Sequence, residues 1–253
     1  MSKTILFETE NHFNVLFEES EEGALAVQSN QHLIVHGGEA ILLDPGGHKI
    51  FTKVMADTMD ILHRKATLKY IFLSHADPDI VAAINGWLMT TDADAICSDV
   101  WLRFIPHFGV DKLVADRLLG LPDKGGFLEL ENCPLMVLPA HYLHACGNFQ
   151  LYDPVSKILY TGDLAASLGM PYMEVTDFDA HLPYMKGFHQ RYMGSTKALK
   201  AWVKMVRQLD INMIAPQHGA FFRGPEMVER FINWADNLEC GIDMMGDFEL
   251  PRR

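Results

Sequence analysis

Three residues able to bind a metal, His75, Asp77 and Asp79, alternate along one short stretch of the chain. Before them runs Tyr70-Ile71-Phe72-Leu73, an apolar segment of strand type. After them Pro78 opens Ile80-Val81-Ala82-Ala83-Ile84, which reads as a helix. In open α/β folds ligands gather at the carboxyl ends of strands, where side chains are free to converge. Imidazole and carboxylate at this density suit a metal centre. Taken alone, Asp77-Pro78 is equally a good helix start, with Asp as cap and Pro in the first helical position. Three further segments decide between these readings. His144 follows the strand at 135–138, Asp163 follows the strand at 157–160, and His218 follows the strand at 213–215. Isolated histidines are usually satisfied core residues or exposed ones. Ligand-type residues at four separate strand ends are not explained that way.

The elements that must position these residues are legible as two similar halves. Strands are expected at 13–18, 24–28, 32–35 and 40–44, the last pair joined as a hairpin through Gly37-Gly38. Apolar residues at helical spacing predict a helix over 49–65. The central strand and its ligand turn follow, then a helix at 79–90, a strand at 95–97 and mostly helical chain over 99–119. A second strand series begins at Phe127 and continues at 135–138, 148–152 and 157–160. Its last two strands flank the turn Asp153-Pro154-Val155-Ser156. Residues 164–187 read as a long structured loop and 188–209 as a helix with Tyr192, Leu199, Trp202, Val203 and Val206 on one face. A strand at 213–215 and a helix at 225–240 end the series. Strands then helices, twice over, predict an α/β (α+β) fold of four layers, an αββα sandwich. With no linker composition between the halves, one domain over 1–253 is expected.

Composition narrows the function. Apolar residues make up 49% of the 253-residue chain, enough for a large core. The net charge is −12 without a basic run, which disfavours nucleic acid as a partner. No apolar segment reaches the roughly 18 residues needed to span a membrane, and the N-terminus does not read as a signal peptide. Cys97, Cys133, Cys146 and Cys240 form no CxxC and read as reduced thiols of a cytoplasmic protein.

The motifs, in order, resemble those of the metallo-β-lactamase superfamily over nearly the whole chain. Ile41-Leu42-Leu43-Asp44-Pro45-Gly46 is similar to its first strand-end motif, and Ser74-His75-Ala76-Asp77-Pro78-Asp79 to its main ligand motif. Leu143-His144-Ala145-Cys146-Gly147-Asn148, Leu159-Tyr160-Thr161-Gly162-Asp163 and Pro216-Gln217-His218-Gly219 are similar to the remaining three. The gaps between His75, His144, Asp163 and His218, of 69, 19 and 55 residues, are similar too. Hydrolytic members carry His at the positions of Asp77 and Ile80. A carboxylate at position 77 resembles the di-iron branch, the flavodiiron and oxygen-binding di-iron proteins. So do Gly187–Met193 and the stretch 215–222.

That resemblance implies one iron held by His75, Asp77 and His144, another by Asp79 and His218, and a bridge from Asp163. The branch usually has Glu at position 77 and His at position 80, so Ile80 implies an open position on the second iron. Three carboxylates reduce the +4 of a diferrous pair to about +1, which suits a diatomic ligand or a bridging anion. Zinc and manganese are the alternative metals. The implied function is binding, sensing or reduction of O2, NO or peroxide. Flavodiiron proteins carry an electron-supplying flavodoxin domain; with none expected in 1–253, a separate redox partner protein is implied. A homo-oligomer is the expected assembly. A dinuclear hydrolase using a metal-bound hydroxide is the alternative, and a non-catalytic partner module the third reading. Asp44 is expected to orient a ligand histidine, and His141 is the alternative to His144. His32 and His189 are expected in the core or at the surface rather than in the pocket. Cys146 is expected to be a small buried thiol, and Met170, Met173, Met185 and Met193 to serve in packing.

Overall fold

Apolar alternation and β-branched residues set up two sheets, and amphipathic helices cover their outer faces. The structure, a computed structural model, describes residues 2–19, 28–63 and 65–251. The first sheet comprises β1 (Ser2–Glu8), β2 (His12–Glu19), β3 (Ser29–His36), β4 (Glu39–Leu43), β5 (Thr67–Phe72), β6 (Asp94–Ser98) and β7 (Leu118–Leu121), in that spatial order. Strands β1–β4 are antiparallel, and β4–β7 are parallel. The parallel part is crossed over by α1 (Phe51–Leu62), α2 (Pro78–Val81), α3 (Ile84–Thr90) and α4 (Asp99–Leu102). The second sheet runs β8 (Gly126–Leu130), β9 (Cys133–Pro139), β10 (Phe149–Asp153), β11 (Ile158–Tyr160), β12 (Met213–Ala215) and β13 (Phe222–Arg223). Its helices are α5 (Phe178–Tyr192), α6 (Thr196–Val206) and α7 (Pro225–Asp236).

Three apolar clusters correspond to the three interfaces of four layers. One, with Val54, Ile80, Ile84 and Trp87, lies between the first sheet and its helices. A second, with Leu199, Trp202, Phe222 and Phe231, lies between the second sheet and α5–α7. The third joins the sheets through Leu16, Ile41 and Phe72 on one side and Val137, Leu151 and Tyr160 on the other. This is the αββα sandwich of the metallo-β-lactamase fold.

Several expected elements differ. The strand expected over 24–28 lies outside the described residues apart from Gln28, which precedes β3. The helix at 79–90 is two short helices, α2 and α3. Residues 118 and 119, the end of the stretch expected to be mostly helical, belong to the edge strand β7, which pairs with β6. The short apolar run Leu118-Leu119-Gly120-Leu121 has no helical period, and pairing with β6 satisfies its backbone. The loop expected over 164–187 ends early, because α5 starts at Phe178 with the Asp177 carboxylate accepting from the Ala180 N–H. The long helix expected over 188–209 is broken at Met193-Gly194-Ser195. There Ser195 caps α6 by accepting from the Ala198 N–H at 3.2 Å. Tyr192 therefore ends α5, half-exposed, and does not share a face with Leu199.

Candidate metal centre

The residues that follow these strand ends fold into one cleft because their turns are bonded to each other. Ser74 follows β5, and its carbonyl accepts from the Phe149 N–H at the start of β10, tying the two sheets together. The turn after β11 lies against the same serine. Gly162 has φ +57°, and a Cβ there would sit 3.0 Å from Ser74 Oγ. Only glycine fits this close approach without strain. The Gln217 N–H donates to the Gly162 carbonyl, and Asn30 on β3 donates through Nδ2 to the carbonyls of Pro216 and Gly219. The loop after β9 carries Tyr142 and His144 at φ 66° and 77°, a left-handed conformation that costs non-glycine residues energy. Asn148 holds that loop by donating to the Leu143 carbonyl, and the Gly194 N–H donates to Tyr142.

The six expected ligand residues meet. His144 Nε2 is 3.0 Å from Asp77 Oδ2 and 3.6 Å from Asp163 Oδ2. His75 Nε2 is 3.7 Å from Asp77 Oδ2 and 3.9 Å from Asp163 Oδ1. His218 Nε2 is 3.3 Å from Asp79 Oδ2 and 3.5 Å from Asp163 Oδ1. Asp163 thus stands between two groups, with His75, Asp77 and His144 on one side and Asp79 and His218 on the other. Donor atoms of His75, Asp77 and His144 all lie within 4.8 Å of one another.

The rings are oriented from behind. His218 Nδ1–H donates to the Gln28 carbonyl at 2.7 Å, which turns Nε2 towards the carboxylates, where it can ligate a metal once its proton is displaced. His75 Nδ1 meets Ser74 Oγ at 2.9 Å, and Asp44 Oδ1 accepts from the Ser74 N–H at 2.8 Å. Asp44 therefore acts on the His75 turn through Ser74 rather than on the ring itself. Gln217 Nε2 donates to Asp79 Oδ2 at 3.2 Å. Among the described residues, His75 Nε2 and Asp163 Oδ1 are buried with no hydrogen-bond partner. Buried polar atoms are rarely left so. Orphaned donor atoms aimed at one point, with mixed imidazole and carboxylate chemistry, fit a pair of metal ions.

The electrostatics point the same way. The hydrogen bond from His144, and then the His75 ring close beside it, hold the Asp77 carboxyl well below the usual carboxylate range. Burial works against ionisation of Asp79, yet His218 beside it holds its carboxyl below the ordinary value. Burial disfavours a charged His218, but Asp79 and Asp163 outweigh it and raise the ring to about 9. Carboxylates that raise the His218 ring in the metal-free protein form a field that favours metal cations.

The cleft holds about 480 Å³ and is also lined by Ser29, His48, Lys49, Phe188 and Tyr192. Sequence reasoning did not single out these five for the site. Phe188 and Tyr192, one turn apart on α5, stack at 4.8 Å, and Tyr192 packs 5.6 Å from the His144 ring. The i, i+4 aromatic pair was the available signal.

His141 turns away and contacts the Asp123 carbonyl at 2.7 Å, so His144 is the inward histidine. His32 and His189 are core residues; His189 Nε2 accepts from the Ala165 N–H behind the Asp163 turn. Cys146, expected to be buried, is exposed, because the left-handed loop at His144 carries it outward. Met185 and Met193 are fully buried and Met170 and Met173 pack against the core, as expected. Ile80 is fully buried in the cluster under the first sheet and does not line the cleft.

Among solved structures, the peroxy diiron species of the chemotaxis sensor ODP superposes with a TM-score of 0.84. It is 38% identical, covering 96% of this chain and 98% of that one. The apo state of the chemotaxis sensor ODP from T. denticola is 37% identical with a TM-score of 0.81, covering 96% and 97%. A flavo di-iron protein variant from Thermotoga maritima, 15% identical, shares the fold at a TM-score of 0.77 over 93% of this chain and 60% of that one. Among curated proteins, a putative diflavin flavoprotein of Nostoc sp. is 27% identical over 83% of this chain. The chain spans 37% of that protein's length. The profile of the ODP family beta lactamase matches residues 27–219, and the chain belongs to that family.

Proposed function

We propose that this protein is a non-haem di-iron protein that binds a diatomic gas, O2 first among candidates, and serves as its sensor. One observation carries the reading: the Nε2 atoms of three histidines face the two oxygens of Asp163 at 3.5–3.9 Å, with Asp77 on one side and Asp79 on the other. In this reading His75, Asp77 and His144 hold one iron, Asp79 and His218 hold the other, and Asp163 bridges. Ferrous ions there supply electrons and open coordination positions to the gas.

The chain's own residues do the rest. Gln28 and Ser74 fix the ring orientations of His218 and His75. Gln217 fixes the Asp79 carboxylate. Phe188 and Tyr192 form an aromatic wall beside His144 that limits water at the open side. Asp77 in place of a histidine supports iron over zinc, since oxygen donors suit the harder metal. The likeness to the chemotaxis sensor ODP over 96% of the chain supports sensing of O2. Repeated reduction of the gas draws electrons from a separate redox protein. A reducing cytoplasm suits the four free cysteines; among the described residues no helix is long and apolar enough to cross a membrane.

The test is anaerobic reconstitution of metal-free protein with ferrous iron, followed by nitric oxide as an O2 surrogate. Two irons per chain and a saturable iron–nitrosyl spectrum are expected. Iron binding without any nitrosyl signal would refute gas binding.

A further inference from the structure

A second cluster of metal-binding side chains lies at the opposite end of the strands from the cleft. β4 and β9 run towards the Asp44 and His144 turns, whereas His36 ends β3 beside the start of β4, and Cys133 begins β9. His12, at the start of β2, pairs with His36 in the ladder. Ligand atoms of His12, His36 and Cys133 all lie within 4.8 Å of one another. His12 and Cys133 are each 2% exposed, and His36 is half-buried, which leaves one side open to solvent.

We propose that His12, His36 and Cys133 form a second metal site, for one borderline-soft divalent ion of the zinc class. Two imidazoles and one thiolate are a donor set that such ions take, with a fourth position left for water. The two Nδ1 atoms are 3.0 Å apart. Zinc–nitrogen bonds of about 2.0–2.1 Å at a tetrahedral angle require about 3.4 Å, so the rings need to part by only a few tenths of an ångström. His12 is already oriented as a ligand. Its Nε2 lies 2.7 Å from Asp153 Oδ2, a carboxylate that also accepts from Asn14 Nδ2 and Ser156 Oγ. An ionised carboxylate only accepts, so the Nε2 atom carries the proton and Nδ1 presents its lone pair. This carboxylate–histidine arrangement is the one that supports metal-ligating imidazoles.

Without metal, the His36 Nδ1–H donates to His12 Nδ1, and the buried Cys133 side chain is a thiol. Metal entry needs no redox partner. The His36 proton shifts to its Nε2, the Cys133 thiol releases its proton to solvent, and three dative bonds form. A plain hydrogen-bond chain explains the contact of the two rings but gives the sulfur beside them no part.

The test uses the full-length metal-free protein titrated with Co2+ and read by thiolate-to-cobalt absorption in the near ultraviolet. Among the described residues no cysteine lines the cleft, so this band is blind to the centre there. The band is expected in wild type, with a final intensity of one cobalt–thiolate site per chain, reached by three equivalents because the cleft takes up to two. It should persist in Asp163→Asn and in Cys146→Ser, vanish in Cys133→Ser, and need at least tenfold more Co2+ in His36→Ala. His36 is half-buried and tolerates truncation, so its titration decides the matter should Cys133→Ser fail to fold. Absence of the band in wild type, its survival in Cys133→Ser, or an unchanged titration in His36→Ala overturns the proposal.

Discussion

On the proposed ligand set, replacing Asp163 by Asn should weaken both halves of the metal centre at once. Asp163 Oδ1 stands 3.5 Å from His218 Nε2 and 3.9 Å from His75 Nε2, and Oδ2 stands 3.6 Å from His144 Nε2. An ion seated between each histidine group and the carboxylate therefore meets an Asp163 oxygen. The amide keeps the volume but removes the charge and one acceptor. Loss of a partner that merely orients a ligand costs about 10–100-fold in metal affinity. A direct, shared, charged donor should cost at least about 100-fold per ion, or about 2.7 kcal/mol. The fold should persist, because the turn is held by backbone bonds: Thr161 N–H to Ala215, Leu164 N–H to Thr161 and Gln217 N–H to Gly162. The assay is anaerobic titration of metal-free wild type and variant with ferrous iron against a competing chelator, with far-ultraviolet circular dichroism to verify folding. Two irons in wild type and fewer than one at the same free iron in the variant are expected. A folded variant that binds two irons with wild-type affinity would refute the bridging geometry.

The other predictions are narrower. His144→Ala should weaken one iron by at least about tenfold, whereas His141→Ala, whose ring contacts the Asp123 carbonyl, should titrate like wild type. Gly162→Ala forces a left-handed residue against Ser74 Oγ. It should cost about 1–2 kcal/mol of stability and weaken iron binding by displacing His75, read by melting and iron titration together. Burial lowers the His32 ring to about 4 from 6.5. The unfolded chain therefore binds the extra proton first, and stability falls as pH drops from 6.5 towards 4, by up to about 3 kcal/mol from this residue. In His32→Gln, urea midpoints should fall less steeply over that range.

The convergence of these residues in one cleft was legible because strand ends advertise themselves: an apolar run stops, and a polar residue able to bind a metal follows. His75, Asp163 and His218 all have this form. What was not legible depended on contacts across the fold. The break between α5 and α6 hinges on Ser195 as a cap, and a helical apolar period that runs past Gly194 hides it. β7 is decided by its neighbour β6 rather than by its own short sequence. The aromatic wall of Phe188 and Tyr192 reads locally as ordinary helix packing. His12, His36 and Cys133 lie on three different strands with no shared spacing, so only the ladder of β2 with β3 and the facing second sheet bring them together. Cys146 was misjudged because the left-handed turn at His144 cannot be read from residue type alone.

The central claim is tested most directly on protein made in iron-replete cells, purified under argon, and assayed for metal before and after admission of oxygen. Two irons per chain are expected, with a new visible absorption on exposure to O2 that is lost in Asp163→Asn. Two zinc ions per chain, no spectral response to O2 and rapid hydrolysis of esters or thioesters would contradict it.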